Sequence, residues 1–175
     1  MNTNLTKTAM VYAAAAHTAI GQYRKYTDED YIRHPATVSR MVSNIPDVTE
    51  EMIAAAWLHD VVEDTHVSLG HIKSMFGLEV RDLVSDLTDV SKPSDGNRAV
   101  RKEIDRQHLA KASAQAKTIK LADLINNSES IIRCDPKFAK VFMAEKKLLL
   151  EVLTEGDSVL YAKAEQIVND YYKGI

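Results

Sequence analysis

Apolar residues recur at intervals of three and four positions along most of the chain, which is the spacing of amphipathic α-helices. No series of alternating apolar and polar positions predicts strands, and no Gly-rich hairpin turns separate the apolar segments. Neither a repeat of fixed period nor a break in composition marks a second domain. The pattern therefore predicts an all-α fold, a single-domain multi-helix bundle over residues 1–175.

Start and stop signals divide the first half of the chain into helices. The first helix is predicted from about Leu5 to Gly21, and a polar loop follows at residues 22–30. Pro35 suits the first position of the next helix, because its missing N–H has no partner to lose there. Either Asp47 or Thr49 can cap the apolar helix after that.

The second half carries similar signals. Ser68 is predicted to cap a helix that Gly77 ends, with another helix continuing to about Thr88. Residues 91–96 are predicted to form a loop. Further helices are predicted at residues 97–112, at residues 117–132, from Asp135-Pro136 to near Leu153, and to near Tyr172. The last two carry no cluster of catalytic residue types, so we assign them to the scaffold, with homo-oligomer formation as an alternative role.

Composition narrows the class of protein. With 45% hydrophobic residues, 27% charged residues and a net charge of -3, the chain is typical of a soluble globular protein and not of a nucleic-acid-binding polycation. Cys134 is the single cysteine, which excludes an intramolecular disulfide and a thiolate metal cluster. No apolar run approaches the roughly 20 residues that span a bilayer. We expect a cytoplasmic protein with neither nucleic acid nor membrane as a partner.

The most unusual segment follows the apolar stretch at residues 52–58. It places His59, Asp60, Glu63 and Asp64 within six positions. On a continuous helix His59 would lie above Glu63, and Asp60 above Asp64. Because buried charges need compensation, this density of imidazole and carboxylate groups points to a divalent metal ion.

A hydrolytic metal site needs more ligands than one helix end offers. His34, just ahead of Pro35, and Asp123, inside the apolar segment 119–125, are the best additional candidates. Mixed imidazole and carboxylate ligation suits manganese, iron or zinc. His17 has no comparable spacing and is expected to pack behind the site.

These residues reproduce, in order, the His, His-Asp, Asp pattern of the HD superfamily of metal-dependent phosphohydrolases. Over roughly residues 12–132 the chain also resembles the hydrolase domain of RelA/SpoT-type alarmone enzymes, and most of all the stand-alone small alarmone hydrolases. The segments that carry this resemblance are Gly21-Gln22-Tyr23-Arg24-Lys25, Tyr31-Ile32-Arg33-His34-Pro35, Leu58-His59-Asp60-Val61-Val62-Glu63-Asp64-Thr65, Phe76-Gly77 and Lys120-Leu121-Ala122-Asp123.

The resemblance implies an HD-domain bundle with a central metal site. It implies hydrolysis of the 3′-pyrophosphate of (p)ppGpp to GDP or GTP and pyrophosphate, usually with Mn²⁺. By motif match, the implied metal ligands are His34, His59, Asp60 and Asp123.

The remaining implied roles concern catalysis and substrate binding. Glu63 and Asp64 match the catalytic pair, which would orient water and carry protons. Arg24 and Lys25 match a basic pair that can contact a purine and phosphate, and Asn127 matches a nucleotide-contacting asparagine.

A basic stretch at residues 92–106 permits two interpretations. The simpler one is an exposed helix face, since acidic residues are interleaved. The alternative is a phosphate clamp in which Arg98 or Arg101 contacts substrate.

Two other functions stay open at this point. One is an HD-family phosphatase acting on NADPH, on (p)ppApp or on nucleoside monophosphates with the same ligands. The other is a non-catalytic alarmone-binding module, although such modules usually lose a ligand or an acid and all six positions are present here.

Overall fold

A computed structural model describes residues 4–174 of the chain. Within this range the regular structure is helical, and an isolated antiparallel bridge joins Tyr23 and Asp30. The predicted all-α fold is confirmed. The chain divides into two compact units, Met1–Thr88 and Asp89–Ile175, and each has its own helical core. That both belong to a single domain stays a prediction.

The helices of each unit follow in chain order. The first unit holds α1 (Leu5–Ala19), α2 (Arg33–Val42), α3 (Glu50–Leu58), α4 (Val61–Asp64) and α5 (Leu69–Leu87). The second unit holds a 3₁₀ turn (Pro93–Asp95), α6 (Arg98–Ala110), α7 (Ala114–Cys134), α8 (Pro136–Leu150) and α9 (Ser158–Lys173).

Helix α3 lies at the centre of the first unit, in contact with α1, α2 and α5. Its consecutive alanines, Ala54, Ala55 and Ala56, are all fully buried, as is Leu58. A helix that is buried on every side requires apolar residues all round, and small side chains let its neighbours approach closely. The C-terminal end of α3 is therefore held firmly, and this is the end that carries the motif.

The first residues of α3 and α2 can be compared with the helix starts predicted from the sequence. Thr49 caps α3, since its Oγ1 accepts a hydrogen bond from the N–H of Met52 at 3.2 Å; Asp47 instead has a φ of 55°. Helix α2 begins at Arg33, so the prediction that Pro35 is its first residue is wrong by two positions. Pro35 remains within the first turn, where a missing N–H costs no helical hydrogen bond.

Helix α7 is the centre of the second unit and packs against α8 and α9. Its fully buried apolar residues include Ile119, Leu121 and Leu124. The hydroxyl of Thr118 accepts a hydrogen bond from the N–H of Asp157 at 2.9 Å, and Asp157 in turn caps α9. The chain entering α9 is thereby fixed to the central helix.

None of the helices within residues 4–174 is long and apolar enough to cross a membrane.

Helix α5 is interrupted at Gly77, as the sequence predicts. Ser68 caps its start, and Gly77 adopts φ 90° and ψ 179°, which is not helical. This conformation is essentially restricted to glycine, because a Cβ would meet the adjoining backbone. The two halves of α5 therefore depend on a glycine at this position.

Replacement of Gly77 by alanine is expected to lower the free energy of unfolding by about 1–3 kcal/mol. Urea denaturation measures the change. Gly70→Ala is the matched control, because its Cβ would lie 3.5 Å from the Ser68 Oγ in ordinary contact, and alanine there should be neutral or stabilising by up to about 1 kcal/mol. Equal effects in both variants would contradict this account.

Candidate metal centre and active site

The His-Asp motif lies in a turn between two helices. Helix α3 ends at Leu58, and α4 begins at Val61. The expectation of one continuous helix through Asp64 is therefore wrong at His59 and Asp60. The Nδ1 of His59 donates to the carbonyl of Ala56 at 2.8 Å, a bond available because carbonyls in the last turn of a helix lack helical partners.

Three of the predicted ligands converge in the first unit. The Nε2 atoms of His34 and His59 lie 3.1 Å apart. The Oδ2 of Asp60 lies 3.4 Å from the first nitrogen and 3.0 Å from the second. Both imidazoles are almost completely buried, with exposures of 1% and 2%, so water cannot solvate this cluster freely.

The chemistry of these donors fits a divalent cation. Because the Ala56 carbonyl can only accept, His59 carries its proton on Nδ1, and in the neutral ring the Nε2 lone pair faces the Asp60 carboxylate. Two electron-rich atoms at that distance repel each other unless they share a proton or a cation lies between them. Ligand atoms bound at about 2.1 Å and at right angles around one ion are about 3.0 Å apart, close to the observed separations.

Asp60 is held as an anion. Burial by itself raises the pKa of its carboxyl, but the adjacent His59 and the polar contacts with both imidazoles lower the pKa well below its usual range. The hydroxyl of Tyr31 donates to Asp60 Oδ2 at 2.6 Å. The carboxylate is thus ionised at neutral pH and fixed in orientation.

The predicted catalytic pair follows one helical turn later. Glu63 and Asp64 lie in α4, and both residues are exposed. Gln22 donates from its Nε2 to the Oδ2 of Asp64 at 2.8 Å, and its Oε1 lies 2.6 Å from the Nδ1 of His17. Two carboxylates therefore follow the candidate metal ligands along the chain, and Gln22 tethers that of Asp64.

The predicted basic pair lies in the loop between α1 and α2. This loop folds back on itself, because the N–H of Arg24 donates to the carbonyl of Glu29 at 2.8 Å. The Lys25 side chain is exposed, with its ammonium 4.9 Å from the centroid of the Tyr26 ring.

Asp123 and Asn127 lie one turn apart on α7 in the second unit. Asp123 is 5% exposed. Its Oδ2 lies 2.9 Å from the Lys120 ammonium, and its Oδ1 accepts from the Nδ2 of Asn127 at 2.6 Å. The structure thus brings these two predicted residues together and shows that Asn127 orients Asp123.

The basic stretch on α6 holds two different arginines. Arg98 forms a two-bond ion pair with Glu145, at 2.6 and 2.9 Å, and lies over the ring of Phe138. Arg101 is only partly exposed, and its Nε is buried without a hydrogen-bond partner among residues 4–174. Arg98 is therefore committed to a structural ion pair, whereas the Arg101 Nε retains an unsatisfied donor.

Sequence reasoning assigned no role to two side chains that contact the site. Gln22 and Tyr31 lie in segments that carry the family resemblance, but no spacing rule connects either to a carboxylate far along the chain. His17, expected to pack behind the site, is buried and its ring centroid lies 4.7 Å from that of Tyr31. This expectation is confirmed.

Residues 9–148 match a family model described as HD domain. The chain belongs to the HD domain family. This HD domain is 32% identical, over 139 residues, to the guanosine-3′,5′-bis(diphosphate) 3′-pyrophosphohydrolase MESH1 of Xenopus tropicalis, with 76% of each chain covered. It is 33% identical, over 129 residues, to the human MESH1 enzyme of the same name, with 70% of each covered.

Solved structures agree with this assignment. The HD domain is similar to a metazoan ortholog of SpoT that hydrolyses ppGpp and plays a role in starvation responses, with a TM-score of 0.84, 29% identity and coverage of 98% of this chain and 97% of that one. A protein from Listeria monocytogenes EGD-e shares the fold, with a TM-score of 0.68, 23% identity and coverage of 85% of this chain and 99% of that one.

Another unusual group in the second unit is Lys146 on α8. Its ammonium lies 4.7 Å from the centroid of the Phe142 ring. Burial and, to a smaller extent, the nearby Lys120 lower the pKa of Lys146 from 10.5 to about 8. The folded protein disfavours the charged form of Lys146, so between pH 8 and 10.5 the unfolded state binds more protons than the folded state. The contribution of Lys146 to the free energy of unfolding therefore rises with pH in this range.

Loss of a candidate ligand is expected to abolish tight binding of a divalent metal. Asp60→Asn keeps the size of the side chain but removes its charge, and should weaken Mn²⁺ affinity by at least about 100-fold, measured by isothermal titration calorimetry. His66→Ala, at an exposed position just after α4, is the control and should retain affinity. Equal Mn²⁺ affinity in the two variants would show that this site is not the metal centre.

Replacing Lys146 by methionine is expected to stabilise the protein by about 1–3 kcal/mol below pH 8, and the gain should vanish as the pH approaches 10.5. Urea unfolding across this pH range measures it. Lys147→Met changes an exposed neighbour and should alter stability by less than about 0.5 kcal/mol at every pH. A gain independent of pH would show that charge is not the cause.

Proposed function

We propose that this protein is a metal-dependent hydrolase that removes the 3′-pyrophosphate of (p)ppGpp and releases GDP or GTP and pyrophosphate. The observation that carries the proposal is the cluster of the buried His34 and His59 with the partly buried Asp60. The carboxylates of Glu63 and Asp64 follow within one turn. MESH1 of Xenopus tropicalis and of human, the relatives described above, are pyrophosphohydrolases of this specificity, which supports the same substrate class here.

The proposed metal is Mn²⁺, held by His34, His59 and Asp60, with Asp123 as the fourth ligand by motif match. A divalent cation in this position would supply Lewis acidity toward a phosphoryl oxygen and would lower the pKa of water. The protein's own part is to present two imidazoles and one ionised carboxylate in a fixed arrangement. The hydrogen bonds from His59 to Ala56 and from Tyr31 to Asp60 support this arrangement.

The proposed reaction is attack of water on the phosphorus bonded to the 3′-oxygen. A bond forms from the water oxygen to phosphorus, and the bond from phosphorus to the 3′-oxygen breaks. One carboxylate of the pair Glu63 and Asp64 takes the water proton, and the pair delivers a proton to the 3′-oxygen, which leaves as a hydroxyl. The Oδ2 of Asp64 accepts from Gln22, so we assign contact with water or substrate to its Oδ1.

Substrate recognition is assigned to four further residues. Arg24 and Lys25 suit it because a guanidinium can stack on a purine while an exposed ammonium holds phosphate. Arg101 retains a donor with no partner in the described chain, which suits a phosphate oxygen. Asn127 is proposed to contact the nucleotide as well as Asp123.

The deciding experiment measures pyrophosphate and phosphate release from ppGpp, ppApp, NADPH and a nucleoside monophosphate by metal-stripped protein, with and without Mn²⁺. We expect Mn²⁺-dependent pyrophosphate release from ppGpp. Phosphate release from NADPH or the monophosphate alone would assign the same site to the alternative phosphatase function. No turnover of any substrate would favour a non-catalytic alarmone-binding module.

Loss of either catalytic carboxylate is expected to lower kcat for ppGpp by about 10²–10⁴-fold, because proton transfer in the transition state is removed. The variants are Glu63→Gln and Asp64→Asn, which keep side-chain size. Glu79→Gln, at an exposed position of α5, is the control and should retain full activity. Retained turnover in both site variants would exclude this pair as proton carriers.

A further inference from the structure

His17 lies under the loop that connects α1 to α2. It occupies the last turn of α1 and is 2% exposed. Its Nδ1 contacts Gln22, whereas its Nε2 is buried with no hydrogen-bond partner among residues 4–174. A buried imidazole that leaves one nitrogen unsatisfied is uncommon and calls for an explanation beyond packing. The contact with Gln22 is thus the polar interaction that orients this ring.

The turn after α1 brings Gln22 back over His17. Gly21 has a φ of 64°, a conformation that suits glycine at a helix C-terminus. The N–H of Gln22 donates to the carbonyl of His17 at 3.1 Å. The Gln22 side chain therefore reaches across from His17 to Asp64, a residue 42 positions further along the chain.

The direction of each hydrogen bond in this path is determined. The Asp64 carboxylate can only accept, so the amide nitrogen of Gln22 must face it, and the amide oxygen must face His17. The Nδ1 of His17 therefore carries a proton. Burial lowers the pKa of His17, which favours the neutral ring with a single proton on this nitrogen.

A second path leaves the other end of the same loop. The N–H of Tyr31 donates to the carbonyl of Gln22 at 3.3 Å, so the two residues are joined through the backbone. The Tyr31 ring packs on His17, and its hydroxyl donates to Asp60. Two side chains supported by His17 thus reach two different carboxylates, that of Asp60 in the turn between α3 and α4 and that of Asp64 in α4.

We propose that Gln22 and Tyr31 are positioning residues with separate tasks, both supported by His17: Tyr31 orients Asp60 for metal binding, and Gln22 orients Asp64 for the chemical step. The assignment of Asp64 to chemistry rests on the proposed function. The division of tasks follows from the contacts, because Gln22 donates to Asp64 and Tyr31 donates to Asp60. Separate substitutions should therefore separate metal affinity from turnover.

The test compares Gln22→Met with Tyr31→Phe, using Mn²⁺ affinity from calorimetry together with kcat and KM for ppGpp. Gln22→Met should lower kcat by about 10–100-fold and leave KM and Mn²⁺ affinity within about threefold. Tyr31→Phe should weaken Mn²⁺ binding by about 10–100-fold and leave kcat at saturating Mn²⁺ within about threefold. Controls are Gln107→Met and Tyr23→Phe, the same substitutions at exposed positions, which should change neither quantity.

Two substitutions of His17 distinguish its role in orienting Gln22 from its role in filling space under the loop. Asparagine can place an amide N–H where the imidazole Nδ1–H lies, whereas leucine fills the space without a donor. His17→Asn should therefore retain at least about fivefold more kcat than His17→Leu. Thermal unfolding of each variant confirms that it is folded before kinetics are compared.

The outcomes distinguish this inference from the proposed function. If the wild-type protein does not hydrolyse ppGpp, the proposed function fails. The Mn²⁺ affinities still test the inference in that case, because Tyr31→Phe must weaken Mn²⁺ binding and Gln22→Met must leave it unchanged. Equal loss of Mn²⁺ affinity in both variants would overturn the division of tasks. So would full kcat in Gln22→Met with an active wild-type enzyme, or equal kcat in the two His17 variants.

Discussion

The structure of the first unit depends on the convergence of two imidazole nitrogens and one carboxylate oxygen within 3.0–3.4 Å. Such groups repel or must share protons unless a cation joins them, so their proximity has to be enforced by the rest of the fold. His34 enters from the first turn of α2, while His59 and Asp60 follow the buried end of α3. Close packing around the alanines of α3 allows this precision, because a well-packed helix cannot yield to relieve electrostatic strain.

The surrounding hydrogen bonds serve orientation more than stability. The bond from His59 to Ala56 selects a tautomer, and the bond from Tyr31 to Asp60 fixes which carboxylate oxygen faces the imidazoles. In the second unit Asp123 is oriented in a comparable way, by an ion pair with Lys120 and a hydrogen bond from Asn127. In each case neighbouring donors hold a carboxylate in a fixed orientation, which is what a metal ligand needs.

The sequence predicted the helices well because their signals are local. Apolar periodicity and caps such as Thr49 and Ser68 act within one turn, and the break at Gly77 needs only one residue. The start of α2 was misplaced because Pro35 is tolerated at several positions of a first turn. The ordered His and Asp motif predicted the convergence of His34, His59 and Asp60. The bond from Gln22 to Asp64 could not be predicted, since it joins ordinary polar residues across 42 positions.

Helix α4 has only four residues, Val61–Asp64. Segments this short cannot form a helix by themselves, because the free-energy cost of ordering the first turn exceeds the stabilisation from its hydrogen bonds. Its geometry is set instead by contact with α1, by the bond from the Thr65 hydroxyl to the Val61 carbonyl, and by Gln22. Glu63 and Asp64 therefore belong to a segment whose local opening should require less free energy than that of α3. Hydrogen exchange would be faster at the backbone amides of Glu63 and Asp64 than at those in the C-terminal turn of the buried helix α3.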